Sequence, residues 1–155
     1  MITINNRQRK IKVNIKAMEH QLNVMLQALG YPKFDVGVLL TTNATIRRYN
    51  RDYRSKDKAT DILSFPYHTE LKPGQKIKVG DPDDKNLGDM IISLEYVKKD
   101  APKTWGRSFD KHLTHLLAHG LAHLLNYDHQ TDEEFVVMQK VEKKLLKTVH
   151  KHSKV

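Results

Sequence analysis

Apolar and polar positions alternate from Ile2 to Asn5, which predicts a short strand. From Val13 to Leu29 the period changes. Ile15, Met18, Leu22, Met25, Leu26 and Leu29 recur at helical spacing, and Gly30, with Pro32 just beyond, stops the helix. Phe34 to Leu40 is a β-branched, apolar run that reads as a buried strand. Asn43 is placed to cap a helix through about Tyr53, and Asp61 to Phe65 reads as a strand ended by Pro66. The stretch from His68 to Asn86, rich in Pro, Gly, Asp and Lys, is the longest loop. Leu87 to Ile92 is a strand, Ser93 caps a short helix, and Pro102 to Gly106 reads as a connector.

Two helices follow, one from about Phe109 to Leu125 and one opened by the capping box Thr131-Asp132-Glu133-Glu134. The second carries Phe135, Met138, Val141 and Leu145 on one face. The sum is an α+β fold, a mixed sheet of about four strands packed with several helices. No repeat, linker or composition break divides the 155 residues, so the expectation is one domain over 1–155. Within it, about 147–155 reads as a frayed basic tail.

Charge then changes the picture. The chain carries 27 Lys and Arg against 18 Asp and Glu, a formal charge of +9, which favours polyanionic partners. Much of that charge is a solvated surface, but Arg47, Arg48, Arg51, Arg54, Lys56 and Lys58 are concentrated in one run. Nucleic acid is therefore preferred to a membrane surface, since no basic amphipathic helix carries aromatic anchors. There is no cysteine, which excludes disulfides and thiolate metal sites. No apolar stretch approaches the roughly 20 residues of a membrane span. A cytoplasmic location is expected.

The penultimate helix carries the chemistry. At 100° per residue His112, His115, His119 and His123 share a stripe, with Leu113, Leu117, Leu121 and Leu124 on the other side. Imidazoles at i and i+4 can converge on one ion, and the turn Asn126-Tyr127-Asp128 can return His129 as a third ligand. Three nitrogen ligands leave a fourth position open on zinc, the mark of a catalytic ion. His112 reads as an ordinary surface or core residue. His115 reads equally as that or as a group that orients a ligand or touches substrate. In H-E-x-x-H peptidases the glutamate is the base, and here Gly120 stands in its place.

The run His119-Gly120-Leu121-Ala122-His123-Leu124-Leu125-Asn126-Tyr127-Asp128-His129 resembles the H-G-x-x-H-L-x-G-Y-D-H signature of the YbeY-type endoribonucleases, or rRNA maturation factors. Asn50 to Arg54 leading to Thr60 to Pro66 is similar to that family's N-x-x-Y-R and T-D-V-L-S-F-P blocks. Leu87 to Ser93 is similar to its L-G-D-I-x-I-S block. The resemblance implies a metal-dependent endoribonuclease that prefers single strands and acts in rRNA 3′-end maturation and ribosome quality control. It implies one Zn2+ ion on His119, His123 and His129, and an essential Arg54. Partners would be rRNA, ribosomal particles and a ribosomal protein. Arg47, Arg51, Arg54, Lys56 and Lys58 are the expected nucleic-acid contacts, and Arg54 and His115 the candidate catalytic side chains. Asn126 replaces the family's glycine, and asparagine is the next-best residue for a left-handed turn. Two rivals stay open at this point: a zinc peptidase, and a non-catalytic ribosome-assembly factor with a structural metal.

Overall fold

Period-two alternation puts Val36, Val38 and Leu40 on one side of β2 (Asp35–Thr41) and leaves Gly37 and Leu39 on the other. The computed structural model describes residues 1–153. Among these, β2 pairs in parallel with β1 (Ile2–Asn6) and with β4 (Asn86–Ser93), and β3 (Ile62–Pro66) closes the sheet antiparallel to β4. The order is β1-β2-β4-β3, so the sheet is mixed and the fold is α+β as the patterning predicts.

The parallel pairs need crossovers, and helices supply them. Between β1 and β2 runs α1 (Ile15–Leu29), capped by Asn14 and closed by Gly30 at φ 85°. Its buried residues Met18, Leu22, Met25 and Leu26 meet Val36, Val38, Met90 and Ile92 in one core with the leucines of α4 (Phe109–Leu124). The long α5 (Asp132–Ser153) lies over α1 and α4 and buries Met138, Leu145 and Val149. It continues through the basic segment expected to fray, because Leu145 and Val149 keep an apolar stripe running that far. Residues 154 and 155 of that expected tail lie outside the described residues.

The other face of the sheet is covered by α2 (Asn43–Arg54), which sets Ile46 on Leu63 and Ile91. Asn43 is the first residue of this helix, and Thr42 takes the cap position without a side-chain bond. The cap comes from elsewhere: Glu95, on α3 (Leu94–Trp105), accepts the Asn43 N–H at 2.8 Å. That bond is the main reason the Glu95 carboxyl is held below its ordinary range. Ser93 does cap α3, as expected. However, α3 runs through Pro102 and ends only at Gly106, where a connector was expected. Asp100 accounts for the extra turn, accepting from the Thr104 hydroxyl at 2.5 Å and from Trp105 Nε1–H at 3.1 Å.

Candidate metal centre

The centre begins with α4. Ser108 caps it by accepting the Lys111 N–H, and Leu113, Leu117, Leu121 and Leu124 bury its inner side. That packing fixes the helix rotation, so His119 and His123 emerge one turn apart into a cavity that β3 also lines. At the C-terminal end Asn126 adopts φ 66°, a left-handed residue that reverses the chain and brings His129 back over His119 and His123. Ring centroids are then 5.6 Å apart for His119 and His129 and 5.2 Å for His123 and His129. Asparagine does more here than tolerate the turn. Its amide donates to the carbonyls of His68 at 2.7 Å and Leu71 at 2.8 Å, tying down the loop after β3.

The hydrogen bonds select the tautomers. A carbonyl can only accept, so His123 Nδ1 carries its proton toward Tyr127 O at 2.9 Å. His119 Nδ1 lies 2.5 Å from the Glu142 carboxylate of α5. Both Nε2 atoms therefore turn their lone pairs inward, and they stand 3.1 Å apart. Two nitrogens bound to one tetrahedral ion at about 2.0–2.1 Å lie about 3.3 Å from each other, so this pair is spaced for a shared cation. One nitrogen from each of His119, His123 and His129 falls within 4.8 Å of the others. Burial, chiefly, and then the neighbouring imidazoles push His123 down to about 4, which keeps it neutral and able to ligate near pH 7. This donor set suits a divalent ion, and the outer bonds from Glu142 and Tyr127 are the kind that orient such ligands.

Gly120 reads differently in three dimensions. It does not face the metal cavity. A Cβ there would stand 2.2 Å from Met90 Sδ and 2.9 Å from Ile62 Cδ1, so any side chain would have to displace core side chains of the sheet.

The cavity at the histidines is about 730 Å³ and is also lined by Arg54, Asp61, Ser64 and Phe65. Of the five expected nucleic-acid residues, only Arg54 reaches it. Arg47 is paired with Asp57 at 2.9 Å and Arg51 with Asp52 at 3.2 Å, on the exposed side of α2, and Lys56 and Lys58 lie in the turn beyond. His115 lines a neighbouring hollow together with Glu142, and burial lowers its pKa. His112 leaves the histidine stripe altogether. It is 2% exposed, with Trp105 stacked on it at 5.4 Å, so it is a core residue. Sequence reading missed Glu142, whose signal was a carboxylate set beside Met138, Val141 and Leu145 on an apolar helix face.

A family profile described as "Endoribonuclease YbeY" matches residues 3–150. The chain belongs to this family. A human endoribonuclease YbeY is 35% identical over 94% of this chain and 86% of its own length. The relative from Desulforamulus reducens is 37% identical over 94% of both chains. One from Clostridium botulinum is 36% identical over 98% of this chain and 99% of its own. The solution structure of a Thermotoga maritima protein shares the fold, with a TM-score of 0.59 at 22% identity over 98% of this chain and 93% of that one. Among the described residues no helix is long and apolar enough to cross a membrane.

Proposed function

We propose that this YbeY-family chain is a zinc-dependent endoribonuclease that cuts single-stranded RNA at the three-histidine centre. The observation that carries the reading is the 3.1 Å approach of the His119 and His123 Nε2 atoms, in a cavity that Arg54 also lines. A divalent ion held by His119, His123 and His129 supplies Lewis acidity to a phosphoryl oxygen or a water. Three neutral imidazoles with an open fourth position suit zinc.

The remaining work belongs to the chain's own side chains. Arg54 is free of the carboxylates that occupy Arg47 and Arg51, so its guanidinium is available to grip a phosphate by two parallel hydrogen bonds. As charge moves onto the non-bridging oxygens, the same fork stabilises it. Arg47 and Arg51 extend a basic stripe along α2 toward Arg54, with Lys56 and Lys58 beyond, and these draw in the strand. His115 acts at the edge of the centre, from the neighbouring hollow. The cavity admits a splayed strand, as single-strand recognition requires.

The family's name supports an RNA substrate and the +9 charge a polyanionic one; on the motif resemblance we extend this to rRNA and ribosomal particles, with 3′-end maturation and ribosome quality control as the role and the cytoplasm as the place. A ribosomal protein would then be a natural neighbour. The peptidase alternative finds no support, since Gly120 has no room for a base.

The test is cleavage of a single-stranded RNA by the wild type, His123→Ala and Arg54→Glu, with elemental analysis of each preparation. Both variants are expected to lose cleavage, and only His123→Ala to lose zinc. Equal cleavage by all three would overturn the reading.

A further inference from the structure

The metal cavity does not end at the histidines. His119, His129 and Asp61 also line a second hollow of about 400 Å³ that no residue of α2 reaches. Its other walls include Trp105, Arg107, Phe135 and Lys143. An ion on the three histidines would therefore sit where two hollows meet, with Arg54 in one and this group in the other.

Trp105 is the chain's single tryptophan and is 50% exposed. A single exposed ring is ordinary on a protein surface, so exposure alone says little. This one is also held in place. Its Nε1–H donates to Asp100 at 3.1 Å, its ring stacks on buried His112 at an interplanar angle of 25°, and the Arg107 guanidinium lies 5.2 Å from its centroid. Arg107 is fixed in turn by His112, whose Nδ1 it meets at 3.2 Å. A guanidinium can only donate, so that nitrogen accepts. Shielding His112 explains why a ring covers it, but not why that ring faces a hollow that Arg107 and Lys143 also line.

We propose that the second hollow is a nucleotide subsite, in which the residue next to the scissile phosphate stacks its base on Trp105 and places its phosphate between Arg107 and Lys143. The proposal rests on the endoribonuclease reading and extends it to the other side of the cut. Aromatic platforms beside cations are how single strands are held without sequence preference, since every base offers a π face. Glu142 is engaged by His119, and Asp61 and Asp100 lie within 4.8 Å of a His112 nitrogen, so Arg107 and Lys143 are the cations lining the hollow that can meet a phosphate. The occupant is thus a strand that crosses the ion from Arg54 to Trp105.

The test titrates the zinc-loaded full chain with a short single-stranded 2′-O-methyl RNA, which cannot be cut through its 2′ oxygen. Emission from Trp105 reads this hollow alone, and anisotropy of an end-labelled strand reads total binding. The expected result is saturable quenching with the same midpoint as the anisotropy change. Trp105→Ala should weaken binding by between about 5-fold and 150-fold, the range for one stacked base, while Trp105→Phe keeps most of it. Lys143→Gln, on an exposed helix position that cannot unfold the chain, should weaken binding and flatten its salt dependence. With RNA of cleavable chemistry, Trp105→Ala should raise KM more than it lowers kcat. If anisotropy reports binding while Trp105 emission stays constant and all three variants bind like the wild type, the subsite is refuted and the endoribonuclease reading stands. If the wild type neither binds nor cuts single-stranded RNA, both fall.

Discussion

The carboxylate of Glu142 lies 2.5 Å from Nδ1 of His119, and the two residues come from different helices. One is on α4, where the histidines are, and the other on α5, which packs across α4 and α1. The metal centre is therefore oriented by a helix that supplies no ligand.

Removing that carboxylate should loosen the centre without emptying it. Glu142→Ala is expected to lower zinc affinity about 10- to 100-fold, the usual cost of losing a partner to a ligating imidazole. Glu142→Gln, which can still accept from Nδ1–H, should lose less. Competition against a chromogenic chelator measures both, and wild-type affinity in Glu142→Ala would show that the contact is incidental.

His123 gives the metal-free protein an acid sensitivity of known sign. Its pKa is lowered in the fold from 6.5 to about 4, first by burial and then by the other two imidazoles. Between those values the unfolded chain binds the extra proton, so stability rises with pH. The contribution is complete above the unfolded value of 6.5 and is lost as pH falls through about 4. Thermal melts of metal-free wild type and His123→Gln should diverge less and less as the buffer is taken down through that window. An imidazole NMR titration placing His123 near 6.5 would contradict it.

Gly120 is a packing residue, and its replacement should act on stability. Gly120→Ala forces a methyl against Met90 and Ile62, which costs on the order of 1–3 kcal/mol. The double change Gly120→Ala with Met90→Ala makes room and should recover part of the loss. Denaturant unfolding decides it, and additive losses would mean that the two side chains do not meet.

Asn126 should prove better here than the glycine of the signature that this run resembles. Both the turn and the loop after β3 depend on this one residue. Asn126→Gly keeps the left-handed turn but gives up two bonds to the His68 and Leu71 carbonyls, worth about 0.5–1.5 kcal/mol each. Hydrogen exchange in residues 68–75 is expected to quicken, and unchanged protection there would show that the loop is held by other contacts.

Much of this was legible before any coordinate. Period-two and period-3.6 patterns in Val36–Leu40 and Ile15–Leu29 report directly on which face is buried, so strands, helices and the α+β class follow from them. His119, His123 and His129 were legible because two of them share a helix and the third follows a recognisable turn. What stayed hidden depends on partners distant in sequence. Glu142 bonds a histidine 23 positions earlier, and Glu95 caps a helix 52 positions earlier. Sequence spacing shows neither pairing, although a carboxylate on the apolar face of α5 marks Glu142 out. Pro102 misled because a proline ordinarily marks a helix end, whereas Asp100 holds this one together with Thr104 and Trp105. His112 shares the spacing of the stripe but was read as an ordinary surface or core residue, and it lies buried under Trp105.

The contact between Gly120 and Met90 also bears on what this scaffold can become. A glutamate placed after the first histidine would make the peptidase motif in one codon change. Here that carboxylate would enter the seam between α4 and β4, far from water and from any substrate carbonyl. Conversion would require Met90 and Ile62 to be recut as well, or the helix to lift off the sheet with the leucines that anchor it. The two hydrolase classes are neighbours in spelling but are separated by a repacked seam, so that one substitution by itself offers no path between them.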